Sequence, residues 1–200
     1  QHSGTTGGAA RNPVTELCQL IADCVDGMTG KVKIPGFYTD VVPPTRRELT
    51  DLANSGFTVA GFKKDHLYKK LRVEDPVEVM KRIWMMPTFE VHGIAGGYQG
   101  PGTKTVIPSS ASVKITCRLV AGQKPAKVIE AITHHLETSL PAGYGLQIEP
   151  HGPGSEAFSV DPTLRVLRPG RHNHAVARCR SAAALTDKRD VLVPVPGAKT

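Results

Sequence analysis

The most regular pattern along the chain is a two-residue alternation. In SVKITCRLV, residues 112–120, Val113, Ile115, Cys117 and Leu119 point one way, and Ser112, Lys114, Thr116 and Arg118 point the other. That is the signature of a strand buried on one face. FEVHGIA, residues 89–95, reads as a second strand with Phe89 and Val91 on one side, and LQIEP, residues 146–150, as a third with Leu146 and Ile148 inward. Helical periods surround these strands. Asn12-Pro13 supplies an N-cap and a first-turn proline to the stripe Val14, Leu17, Cys18, Ile21, Ala22 and Val25. Gly27 and Gly30 punctuate its end. Val128, Ile132, Leu136 and Leu140 recur every four residues in a second long helix. Residues 31–86 read as an insert of short helices. One starts near Thr45, with Glu48 placed for a capping box, and another follows Asp75-Pro76.

The order is therefore helix, helical insert, strand, loop, strand, helix, strand. One-sided strands must be covered by helices, which predicts an α+β fold: a ferredoxin-like open-faced sandwich, with helices on one face of an antiparallel sheet. That motif has four strands, and only three follow the first helix. The first strand is therefore missing and is expected upstream of Gln1. With no initiator methionine, the chain reads as a piece of a longer protein or a processed product. The domain is expected to span residues 1–161, with the insert at about 31–86.

Charge changes the picture at one end only. The formal net charge is +7. Residues 163–200 hold eight of the 25 basic and two of the 18 acidic side chains, a net of +6, which leaves +1 for residues 1–162. The basic segment 162–200 lacks a lasting apolar stripe and is expected to stand apart from the domain, poorly ordered or translated out of frame. A near-neutral body argues against a nucleic-acid-binding face, and no apolar run is long enough to span a membrane. Cys18, Cys24, Cys117 and Cys179 show no CxxC pairing. Buried, reduced thiols in a cytoplasmic protein are the expectation.

Candidate chemistry lies in two stretches. GGYQGPGTKTVIP, residues 96–108, opens with four glycines in seven residues. It lacks the spacing of a phosphate-binding loop and joins strands instead of opening a helix. HSGTTGGAARNP, residues 2–13, precedes the first helix. His134 and His135 diverge by about 100° on a helix and cannot readily share an ion. His66, His92 and His151 have no partners at ligand spacing, so no metal is assigned to this chain.

Taken in order with ITCRLV, residues 115–120, these two stretches resemble the zinc-dependent carnosinase, aminoacylase and carboxypeptidase-G type of metallopeptidases. More narrowly, they resemble the lid or dimerisation domain of that family, from about His2 to His151. The resemblance implies a ferredoxin-like lid that forms a homodimer. It also implies a separate catalytic domain holding two zinc ions, where a zinc-bound hydroxide attacks a dipeptide or N-acyl amino acid and a Glu shuttles the proton. It implies that His2 is catalytic, polarising the scissile carbonyl and stabilising the oxyanion. It also implies that Thr105 and Arg118 bind substrate, the arginine chiefly through a carboxylate. No zinc-ligand segment of the family occurs in this sequence, so the chain alone is expected to be catalytically silent. His2, with no strand before it, is expected to be poorly fixed. The alternative reading is a non-catalytic dimerisation module.

Overall fold

The computed structural model describes residues 1–152, 154–159, 178–179 and 181–185, the last two segments by backbone alone. Two helices and one sheet make the main layer pair. α2 (Pro13–Cys24) and α6 (Pro125–Ser139) pack on β1 (Thr88–Gly96) and β2 (Ala111–Leu119), which run antiparallel. Asn12 accepts the Val14 N–H as N-cap of α2, with Pro13 in the first turn. The alternation in β2 is realised from Val113 onward: Val113, Ile115, Cys117 and Leu119 are buried, Lys114 and Arg118 are exposed and Thr116 is half-buried, whereas Ser112 at the strand's start is buried as well. They meet Leu17, Leu20, Cys24, Val128, Ile132 and Leu136 from the helices in one core.

Phe89 and Val91 share one side of β1 as expected, beside a bulge, and three expectations need correction. In β1 the register slips between Val91 and Gly93. Val91 faces Ile115, Gly93 faces Lys114 and Ile94 faces Val113. The extra residue, His92, makes a bulge that switches the face parity, so Ile94 shares the side of Phe89 and Val91. In α2 the buried line is Pro13, Leu17, Leu20 and Cys24, and Cys18 is exposed. The helix is rotated so that Leu20 fills the core, and Cys18 lies off that line. LQIEP forms no strand; Gln147 makes only an isolated bridge, although Leu146 and Ile148 do pack against the core. Val32, Ile34 and Phe37, expected in the insert, pack in the sandwich core.

The insert itself is α3 (Arg46–Ala53), α4 (Val59–Asp65) and α5 (Pro76–Trp84), with its own small core of Leu52, Met80 and Met85. The capping box at Thr45 and Glu48 is formed in full. Before α2 lies a single helical turn, α1 (Ser3–Thr6). Towards the C-terminus, β3 (Phe158–Ser159) pairs with β4 (Arg178–Cys179), and β5 (Ser181–Leu185) runs antiparallel along β2, Ile115 facing Leu185. The expectation that 162–200 stands apart does not describe 181–185; most of that segment lies outside the described residues, His172-Asn173-His174 included.

Candidate functional site

The backbone pairing of residues 1–3 with 105–107 builds the site. The Gln1 amino group donates to the Ile107 carbonyl at 2.9 Å, the Ile107 N–H returns to the Gln1 carbonyl at 2.7 Å, and the Ser3 N–H reaches the Thr105 carbonyl at 3.1 Å. His2 thereby sits opposite Val106. Its expected looseness is corrected, because the connection between β1 and β2 supplies the missing anchor. His2 is also the N-cap of α1. Its Nδ1 accepts the Gly4 N–H at 3.0 Å, and its Nε2 lies 3.1 Å from Thr105 Oγ1. A Cβ on Gly4 would fall 2.9 Å from the imidazole Cε1 and 3.0 Å from Nδ1. Glycine is what lets the ring lie against that amide.

The loop carrying Thr105 is braced from within. Gly97 takes φ +70°, a left-handed conformation that side chains disfavour. The Tyr98 hydroxyl donates to the Pro101 carbonyl at 2.9 Å, and Lys104 Nζ lies 5.7 Å from the centre of the Tyr98 ring, a cation–π distance. The glycine-rich stretch is thus a folded connection. Sequence reasoning missed Gly4 and Tyr98; the glycine two residues after the histidine was the available signal.

Arg118 stands elsewhere on β2. It pairs with Thr88 on one side and Ala182 on the other, and its side chain is exposed on the face opposite the core. Among the described residues its guanidinium has no hydrogen bond or ion pair, and nothing joins it to His2 or Thr105. The structure brings two of the three expected residues together and leaves the third as a separate cation.

Two other features complete the survey. Among the described residues no three His, Cys, Asp or Glu side chains converge to hold a metal ion, so the donor set here does not fit a resident zinc. An open groove of about 410 Å³ between α6 and residues 36–40, lined by Phe37, Asp40, Gln123, Lys127 and His134, includes none of the three expected residues. Burial pushes the thiols of Cys24 and Cys117 up to about 12, which keeps them protonated and unreactive.

Comparison with known proteins agrees with the fold. A family model described as the peptidase dimerisation domain matches residues 1–143. The Beta-Ala-His dipeptidase of Rattus norvegicus is 34% identical over 136 residues, covering 68% of this chain and 27% of that protein. A Cys-Gly metallodipeptidase of Candida albicans is 31% identical over 135 residues, covering 68% of this chain and 28% of that protein. Among solved structures, an M20 family metallo-carboxypeptidase from Sulfolobus solfataricus superposes with a TM-score of 0.63 at 35% identity, covering 69% of this chain and 36% of that one. The chain thus spans about a quarter of the length of these curated relatives. With the match running from residue 1 to residue 143, the chain belongs to the peptidase dimerisation domain family of the M20 metallopeptidases.

Proposed function

We propose that this domain lends hydrogen-bond donors and a cation to a metallopeptidase site whose metal is held outside the described residues, and that it acts as a homodimer. The observation that carries the reading is the His2–Thr105 pair, 3.1 Å apart and exposed, on a backbone that fixes both. A hydrolysed amide passes through a tetrahedral oxyanion. A donor aimed at that oxygen is worth roughly 10²–10³ in kcat. Arg118, an exposed guanidinium with no carboxylate beside it among the described residues, offers a planar fork to a substrate carboxylate. The substrate class that fits is a dipeptide or an N-acyl amino acid, which combines a scissile amide with a free carboxylate. Zinc is the metal the family resemblance implies. The residues described here do not fit it, so no step is assigned to it on this chain. Free thiols at Cys24 and Cys117 suit a reducing, cytoplasmic setting.

The dimer reading has its own observation. The three-stranded sheet runs β1-β2-β5, so one side of β1 pairs with no strand among the described residues. Such an edge is a template for pairing with a second copy.

The test uses the full-length protein. Arg118→Ala is expected to raise KM towards carboxylate-bearing dipeptides about 10-fold or more, with a smaller effect on the corresponding dipeptide amides. Unchanged kinetics for both substrates would remove the anchor and leave the dimerisation module as the better reading.

A further inference from the structure

The two hydrogen bonds of the His2 ring decide which of its nitrogens carries the proton. A backbone N–H can only donate, so Nδ1, which takes the Gly4 N–H at 3.0 Å, must be the unprotonated nitrogen of the neutral ring. Nε2 then carries the hydrogen, and at 3.1 Å it donates into Thr105 Oγ1. The hydroxyl oxygen accepts from the ring, and its own hydrogen is left for another acceptor. Among the described residues the Thr105 side chain has no partner besides His2. The pair is therefore a directed chain: Gly4 amide to imidazole, imidazole to hydroxyl, hydroxyl outward.

We infer that Gly4 is a positioning residue of this site. Its amide locks the His2 tautomer, and Thr105 is consequently the donor turned to the ligand. The site would take a ligand atom that accepts, such as a carbonyl, a carboxylate oxygen or an oxyanion, and would disfavour one that donates. This rests on the proposed function for its ligand class, but the tautomer and the roles of Gly4 and Thr105 concern this chain alone. Two features of Gly4 serve the arrangement. Its N–H supplies the bond, and it lacks the Cβ that would stand 2.9–3.0 Å from the ring's Cε1 and Nδ1. Alanine retains the amide but places a methyl group where the ring lies, so the ring must move away.

The experiment is ¹⁵N–¹H correlation spectroscopy of the 200-residue chain labelled at its histidine rings, with His2 assigned by its disappearance in His2→Gln. The expected result is one His2 ring form at neutral pH, protonated at Nε2. Gly4→Ala should convert it to a mixture of the two tautomers while the other rings are unmoved. Thr105→Val should keep the Nε2–H form but shift its proton and speed that proton's exchange with water; Thr105→Ser should restore the parent signal. A wild-type ring protonated at Nδ1 would overturn the inference, as would an unchanged spectrum in Gly4→Ala or loss of the tautomer in Thr105→Val. Because none of these readings needs turnover, they can hold while the Arg118 kinetics fail, or fail while those kinetics hold.

Discussion

The sandwich and the helical insert are held together in different ways. In the sandwich, strand alternation and two long helices feed a core of fifteen buried residues; in the insert, three helices of seven to nine residues surround a core whose buried members are Leu52 of α3 with Met80 and Met85 at α5, and α4 buries none of its residues. Helices that short are marginal on their own, and the insert compensates at its helix starts. Thr45 and Glu48 form a reciprocal box, Thr58 accepts the Gly61 N–H and Asp75 accepts the Glu78 N–H. Glu78 also pairs with Lys81 and Arg82. One region is stabilised mainly by apolar area and the other depends more on satisfying backbone ends. The candidate site belongs to the first, since Thr105 hangs between its two strands.

That contrast can be broken by mutation. The largest expected effect is Ile115→Ala, a truncation in the middle of the sandwich core. It should cost about 2–5 kcal/mol, lower the global melting temperature, and release protection across β1, β2 and α6 in hydrogen exchange. Leu52→Ala creates a comparable cavity in a smaller core. Its expected signature is local: amides of 46–84 exchange faster while those of β2 stay protected. If β2 loosens equally, the two regions are one cooperative unit. Thr45→Ala removes a single cap and should cost about 0.5–2 kcal/mol, again read in the exchange of α3 and α5.

The smallest effect at mildly alkaline pH distinguishes the regions by titration. Cys24 and Cys117 lie in the sandwich, and burial raises both from about 9 to about 12. In the unfolded chain they ionise near 9, whereas in the fold they keep their protons. Their contribution is therefore whole below about pH 9 and is lost as pH rises towards about 12. Urea midpoints of the sandwich should fall between pH about 8 and about 10.5, and Cys117→Ala should flatten that fall.

How much of this was legible follows the same division. Strand β2 was readable because a period of two on a one-sided sheet leaves little freedom, and Arg118 fell on the open face as expected. The helix starts of α2, α3 and α5 were readable from Asn12-Pro13, Thr45 with Glu48, and Asp75-Pro76. The bulge at His92 was not, because one extra residue leaves composition intact and changes only the partner strand's register. Cys18 was misplaced because a stripe of six apolar positions fits more than one rotation of a helix, and packing of Leu20 chose between them. LQIEP has strand composition but makes only one isolated bridge. The roles of His2 and Thr105 came from resemblance alone, and their nearness was not foreseen, because no local pattern connects them.

That nearness has a consequence for how the site comes into being. The imidazole and the hydroxyl are separated by 103 positions along the chain. Bringing such remote points together costs an unfolded polymer about 4 kcal/mol in closure entropy, beyond a constant. A nascent chain that had not yet closed this loop would not hold both groups together. Their proximity depends on residues 1–3 pairing with 105–107, so the hydrogen-bonded ring signal would report closure of that long loop onto the sandwich.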